Sequence, residues 1–267
     1  LSPSYPPLSL ARGVLGLLRA SLSAGQPAAR VGGERAKQLA DAARAFDETL
    51  RHSNGRNMMA LLGKARATYT MGRYAEALQL YQQALERAPD MLDPDPRIGL
   101  GCCLWALGHK EHAHSAWDRS LELNPNSSIA HTLLGLFYLD QSSHFSTSDK
   151  EFGPLYKKAM TVHTQTAFKL NDMQPLTCAT FGGYFLLRRA RQAHYQDDIA
   201  SAAECYNKSD LARGGDERGY LPAKFGAAQL RISNGDFDGA KFRLEKIVSQ
   251  SRSPEAMTLL GILHAED

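Results

Sequence analysis

The stretch "GRYAEALQLYQQALERAPD", from Gly72 to Asp90, decides the fold of this chain of 267 residues. It opens with a glycine, carries Ala77 and then Tyr81 four residues later, and closes at Pro89. Residues four apart lie on the same face of a helix, about one turn from each other. The stretch therefore predicts a helix that packs a small residue and an aromatic ring on one face and ends before its proline.

The same pattern recurs along the chain. Gly72 and Gly108 lie 36 residues apart, and so do Pro89 and Pro125. An alanine followed after four residues by a large apolar side chain recurs in the pairs Ala42/Phe46, Ala77/Tyr81, Ala113/Trp117, Ala202/Tyr206 and Ala240/Leu244. A period slightly above 34 residues with this signature predicts the tetratricopeptide repeat, a helix–turn–helix hairpin.

Each recurring residue has a physical role in such a hairpin. Gly72 and Gly108 sit where a first helix must end, because glycine tolerates the left-handed conformation. The "DPDP" stretch ending at Pro96 offers an aspartate N-cap followed by proline at the first helical position. A small residue halfway along the first helix lets the second helix approach closely, as at Ala65, Gly101 and Gly135. We expect Ala77 and Ala113 to face that contact.

The repeat period predicts an all-α superhelix of stacked hairpins with a concave groove, a tetratricopeptide-repeat solenoid over residues 1–267. No segment shows the period-two alternation of a strand. The expected parts are an atypical repeat at 1–54, repeats at 57–90 and 93–126, an extended repeat at 128–172 with an inserted loop at 141–154, a repeat-like segment at 175–214 that could lack a hairpin near residue 188, a repeat at 218–253, and a first helix at 254–267. In that last helix, we expect an apolar face that is either exposed or packed against another segment, formed by Met257, Leu260 and His264.

Composition limits the classes of function. The chain is 43% hydrophobic and 22% charged, which excludes wholesale disorder, and its net charge of +3 does not argue for nucleic acid. The four cysteines form no CxxC pair, so buried thiols are expected. Arg12 and Arg19 interrupt the apolar N-terminal stretch, which favours an amphipathic helix over a signal peptide. No run of apolar residues is long enough to span a bilayer, so no membrane is expected.

Three local motifs have ordinary explanations. His109, His112 and His114 are close in sequence, but only the first pair has the spacing of metal ligands on a helix, so exposed histidines are expected. The "GLGCCL" stretch from Gly99 lacks the third glycine of a dinucleotide site, so packing glycines are expected. Solvated helix charge explains the basic cluster of Arg188, Arg189 and Arg191. No catalytic motif is present, so we expect no enzyme, no metal and no cofactor.

The repeat register predicts which side chains line the groove. With Gly72 at position fifteen, the lining residues are Met59, Leu62, Arg66, Tyr69, Asp95, Ile98, Cys102, Trp105, Thr132, Leu136 and Leu139. Most of these are apolar, and the lysine and asparagine clamp of chaperone-binding relatives is missing. The groove is therefore expected to bind a hydrophobic helix or extended segment of another protein, although some of these side chains could instead pack against neighbouring hairpins.

Longer segments of the sequence are more specific than the general repeat and resemble one particular family. "GRNMMALLGKARATYTMGRYAEAL", "DPDPRIGLGCCLWALGHKEHA" and "ARGGDERGYLPAKFGAAQL" resemble the large tetratricopeptide subunit of the RNA polymerase II–associated factor (PAF) complex. The resemblance covers nearly the whole chain. One departure follows "FGGYFLLR", where about one hairpin of the family's sequence is absent between Arg188 and Tyr195.

This resemblance implies a nuclear, non-enzymatic scaffold that supports transcription elongation and histone modification. It implies that the groove holds the N-terminal segment of the complex's namesake subunit, that a parafibromin-type subunit docks nearby, and that RNA polymerase II is an indirect partner. The chain would then be the N-terminal region of a longer protein. The alternatives are a co-chaperone-like peptide adaptor, disfavoured by the missing carboxylate clamp, and an RNA-binding helical repeat.

Overall fold

The computed structural model describes residues 6–22, 33–189, 195–212, 219–251 and 253–265, and within these ranges the regular structure is helical, with no strand. The chain divides into two compact units, Leu1–Ala130 and His131–Asp267. None of the described helices is both long enough and apolar enough to cross a membrane.

The first unit consists of helices that pack on their neighbours in chain order. They are α1 (Pro6–Leu22), α2 (Glu34–His52), α3 (Met58–Thr70), α4 (Tyr74–Arg87), α5 (Pro96–Ala106) and α6 (Lys110–Leu123). Helices α3 and α4 form one hairpin, α5 and α6 form the next, and the first helices α3 and α5 also touch each other.

The second unit contains more hairpins and one irregular helix. Its helices are α7 (Ser128–Ser142, which begins in the first unit), α8 (Phe152–Lys157), a π-helix (Lys158–Thr164), α9 (Gln165–Leu170), α10 (Pro175–Arg189), α11 (Tyr195–Leu211), α12 (Leu221–Ser233), α13 (Phe237–Ser251) and α14 (Pro254–Ala265). The predicted fold class, an all-α tetratricopeptide-repeat fold, is confirmed.

Glycine ends the first helix of a hairpin in both units. Gly72, Gly108 and Gly235 have φ of +81°, +87° and +76°, a region that other residues rarely adopt. After Gly72, the N–H of Arg73 donates to the carbonyl of Thr68 (3.1 Å), and the equivalent bond recurs after Gly108 and Gly235. These bonds satisfy carbonyls that the helix end leaves without partners.

Small residues allow the close contacts that the repeat predicts. Ala77 and Ala113 are fully buried. A Cβ atom on Gly99 would overlap the ring of Tyr81, and one on Gly101 would overlap the indole of Trp117. Both glycines are therefore packing glycines.

The inserted loop is shorter than predicted. Helix α7 continues through Ser142 and α8 already begins at Phe152, so residues 143–151 form the loop. Pro154 is compatible with the early start because it lies in the first turn, where backbone N–H groups have no helical acceptor.

The π-helix between α8 and α9 was not predicted. Its buried His163 stacks on Tyr138 of α7, with ring centroids 5.5 Å apart, and its Nδ1 lies 3.2 Å from Nδ1 of His131. Thr164 packs against Gly135, and its hydroxyl donates to the carbonyl of Ala159 (2.9 Å). The side chain of Thr164 therefore occupies the space beside Gly135, the small-residue position of α7.

The junction after "FGGYFLLR", where about one hairpin is expected to be absent, lies partly outside the described residues. Helix α10 ends at Arg189 and α11 begins at Tyr195. Residues 190–194 between them, and the side chains of the predicted basic cluster, are not among those described.

Candidate protein-binding groove

Two neighbouring first helices, α3 and α5, present six of the predicted groove residues at least partly to solvent. We call this surface the α3–α5 face; it consists of Met59, Arg66, Tyr69, Ile98, Cys102 and Trp105. Met59 is 49% exposed and Arg66 is exposed, whereas the other four are half-buried. Half-buried side chains combine a fixed position with an accessible apolar area, which suits them to recognise a partner.

Tyr69 is fixed at the junction of these two helices. Its ring lies 5.2 Å from that of Tyr74 at a tilt of 58°. Burial raises the pKa of its phenol to about 12, with further increases from the Cys102 thiol, Tyr74 and Cys103. The phenol is therefore neutral at physiological pH and offers an aromatic surface with one hydroxyl.

The Cys102 thiol contributes apolar surface rather than chemistry. Burial raises its pKa to about 11, and burial together with Cys102 raises the pKa of Cys103 to about 12. Neither thiol forms appreciable thiolate at neutral pH, so both behave as small hydrophobic side chains. All four cysteines are free.

Trp105 contacts a second indole and a lysine. Its ring centroid is 5.9 Å from that of Trp117, and the ammonium of Lys110 lies 4.9 Å from its ring centre. Trp117 is buried and its indole N–H donates to the carbonyl of Ile98 (3.2 Å). Trp105 is therefore the half-exposed member of an aromatic pair whose other member belongs to the core.

Three predicted groove residues are mostly buried. Leu62 is only 7% exposed and packs in a core cluster with Leu61 and Leu80. The hydroxyl of Thr132, in the second unit, lies 2.6 Å from that of Thr177, and both residues are fully buried. The third, Asp95, accepts hydrogen bonds from Arg97 and Ser120. Leu136 and Leu139 on α7 are half-buried.

Asp95 holds the start of α5 in place. Its Oδ1 accepts hydrogen bonds from the backbone N–H of Arg97 (2.9 Å) and from the Arg97 guanidinium (3.1 Å). Its Oδ2 accepts from the hydroxyl of Ser120 on α6 (2.6 Å), and Arg97 also donates to the carbonyl of Pro89 (2.6 Å). These contacts give Asp95 a structural role, since both of its carboxylate oxygens are already bonded within the chain.

Two features near the candidate binding surfaces were not predicted from the sequence. The ammonium of Lys110 lies over the ring of Trp105, and nothing in the repeat pattern predicts that the Lys110 side chain points toward this ring. A cleft of about 680 Å³ lies between α11, α12 and α13, next to the buried Tyr206. In that cleft Asp236 accepts from the N–H of Gly239 (2.9 Å) and pairs with Arg231, and these two contacts hold the pKa of its carboxyl below the usual range.

Comparison with known families defines the class of protein. Two family models described as "Tetratricopeptide repeat" match residues 68–136 and 34–91. These matches include α3, α4, α5 and α6, whose hairpins carry the α3–α5 face. The chain therefore contains tetratricopeptide repeats, which typically form non-enzymatic protein-interaction scaffolds.

Individual relatives share sequence with this chain over part of their own length. The chain is 34% identical over 263 residues to "Tetratricopeptide repeat protein 1" of Schizosaccharomyces pombe, covering 86% of this chain and 24% of the relative. It is 33% identical over 141 residues to "RNA polymerase-associated protein CTR9" of Saccharomyces cerevisiae (51% and 13%). It is 26% identical over 233 residues to "Protein CTR9 homolog" of Arabidopsis thaliana (79% and 21%). The chain thus spans a quarter or less of each relative.

A solved structure supports the fold alone. The crystal structure of the APC/C hetero-tetramer Cut9-Hcn1 matches with a TM-score of 0.69 at 17% identity, over 98% of this chain and 43% of that one.

Proposed function

We propose that this chain is a protein-binding scaffold of the PAF transcription-elongation complex. The observation that carries the proposal is the similarity of the chain, over 141 residues, to the RNA polymerase-associated protein CTR9 of Saccharomyces cerevisiae. In this role the chain works in the nucleus, contacts RNA polymerase II through other subunits, and supports elongation and histone modification by holding those subunits together.

The α3–α5 face is the proposed binding surface for the N-terminal segment of the namesake subunit. Met59, Ile98 and Cys102 supply apolar area, and Tyr69 and Trp105 supply large aromatic anchors. Aromatic side chains in such positions commonly dominate protein interfaces because they bury a large area at little entropic cost. A parafibromin-type subunit is proposed to dock nearby.

The charges of the face argue against the two alternative functions. A carboxylate clamp would need lysine and asparagine side chains at groove positions, where Tyr69, Ile98 and Trp105 stand. Phosphate recognition would need several cations in a row, whereas Arg66 is the charged member of the α3–α5 face. An apolar protein segment is therefore the occupant that this face suits best.

Titration calorimetry with the namesake subunit's N-terminal segment tests the proposal. We expect saturable binding whose affinity changes little between low and high salt, since apolar contacts dominate. RNA of matched length serves as the comparison ligand, because phosphate-driven binding weakens steeply with salt. Absence of binding to the segment, or tighter and salt-sensitive binding to RNA, would contradict the proposed function.

A further inference from the structure

Helix α1 has one face that is packed within the first unit. Gly13 lies against the ring of Phe46, and Gly16 lies against the Cβ of Ala42, both on α2. Leu17 packs on the same cluster of α2 and α3 side chains, and Ala20 is 1% exposed. The glycines let α1 approach α2 closely, so the position of α1 is fixed by its packed side.

The opposite face of α1 is apolar and exposed. Leu8, Val14, Leu15 and Leu18 are 40%, 43%, 53% and 54% exposed, and Ala11 beside them is also exposed. These are large exposed fractions for leucine side chains that share one face of a helix.

The spacing of this apolar face is that of a coiled coil. Leu8, Ala11, Leu15 and Leu18 follow one another at intervals of three, four and three residues, which are the a and d positions of two heptads. The buried Gly13, Gly16 and Ala20 fall at b and f positions, on the far side of the helix. The packed and exposed faces of α1 are therefore separated as a heptad requires.

The charges on α1 follow the same register. Arg12 and Arg19 both fall at the e position, beside the apolar stripe, and the helix contains no acidic residue. The side chain of Arg12 is 62% exposed, and its contact to Glu48 on α2 is long, at 4.0 Å. Charges at e positions select the partner helix in coiled coils.

From this arrangement we infer that α1 is a docking site for an amphipathic α-helix of another protein, with acidic side chains beside its apolar stripe. A second copy of this chain fits less well. In an antiparallel pair Arg12 and Arg19 would face the arginines of the other copy, and in a parallel pair they would face Pro7 and Val14. This site is separate from the α3–α5 face and does not depend on the proposed function.

A designed peptide can probe the site in the intact chain. The probe has about three heptads with leucine at a and d and glutamate at e and g, so its own charges discourage self-pairing. A matched peptide with lysine at e and g is the control. Fluorescence anisotropy with labelled peptides and the 267-residue chain reports binding.

We expect the glutamate peptide to bind at least about tenfold more tightly than the lysine peptide. Arg12→Glu with Arg19→Glu should reverse that preference. Leu15→Asp with Leu18→Asp should weaken binding at least about tenfold. The matched control Leu211→Asp, at a leucine on α11 that is 61% exposed, should leave binding unchanged. Circular dichroism verifies that each variant is folded.

Three outcomes would overturn the inference. The first is no binding of the glutamate peptide at about 100 µM, or equal affinity for both peptides. The second is a dimer of the chain in sedimentation that Leu15→Asp with Leu18→Asp converts to monomer, which would make a second copy the occupant. The third is preferential binding to vesicles of anionic lipid that the same double variant abolishes, which would make α1 a membrane-surface helix.

Discussion

The indole of Trp117 occupies the space that a side chain on Gly101 would need, and its N–H donates to the carbonyl of Ile98 (3.2 Å). The two residues belong to the two helices of one hairpin, so their contact sets how closely α5 and α6 approach.

Replacing this glycine should destabilise the hairpin. Gly101→Leu would force the indole out of its place and is expected to cost about 1–3 kcal/mol of unfolding free energy. Thermal melting followed by circular dichroism measures the effect. Gly261→Ala on α14 is the control, because an added Cβ there meets no atom within 4 Å apart from its chain neighbours and the backbone of its own helix, and alanine favours helix. Equal melting temperatures for Gly101→Leu and the parent chain would show that the helix spacing is not set by this contact.

The aromatic anchors of the α3–α5 face should carry the binding of the namesake subunit's segment. Tyr69→Ala and Trp105→Ala are each expected to weaken binding by about 2 kcal/mol or more, roughly thirtyfold. Calorimetry gives the affinity, and circular dichroism on the same samples separates lost contact from lost folding. Phe242→Ala is the control, since this aromatic residue on α13 is 69% exposed. Unchanged affinity in folded Tyr69→Ala and Trp105→Ala chains would move the binding site elsewhere.

The Asp95 network should contribute strongly to the stability of the first unit. Asp95→Ala leaves the buried Arg97 guanidinium without its carboxylate, which is expected to cost about 3 kcal/mol. Asp95→Asn retains a side-chain cap for the backbone N–H of Arg97 and should cost less. Chemical denaturation measures both variants. If Asp95→Ala lowered the free energy of unfolding no more than the surface variant Asp90→Ala does, the network would not be important for stability.

Cys102 should react slowly in the folded chain. Burial raises the pKa of its thiol to about 11, so the reactive thiolate is scarce at neutral pH and increases as the pH rises toward that value. We expect alkylation at neutral pH to be at least about tenfold slower than that of free cysteine. Mass spectrometry after timed iodoacetamide treatment measures the rate, and the chain unfolded in urea is the control. Rapid alkylation of folded chain at neutral pH would contradict this environment.

Local sequence signals predicted the hairpins well. Gly72 and Gly108 end α3 and α5 because left-handed backbone is accessible mainly to glycine, and Pro89 and Pro125 follow the ends of α4 and α6 for equally local reasons. The α3–α5 face is harder to predict, because the same register also placed Leu62 and Asp95 in the groove. Leu62 is buried by Leu80 of the next helix, and Asp95 bonds to Ser120, 25 residues away, so neither environment is visible in local spacing.

The π-helix at Lys158–Thr164 has a consequence for recognising this repeat in other chains. A wider turn absorbs one additional residue, so the helical segments on either side keep their orientation while their spacing in sequence lengthens by one. A profile that assumes a constant repeat length loses its alignment at such a point. Distant relatives of the second unit should therefore be sought with one gap permitted inside this helix.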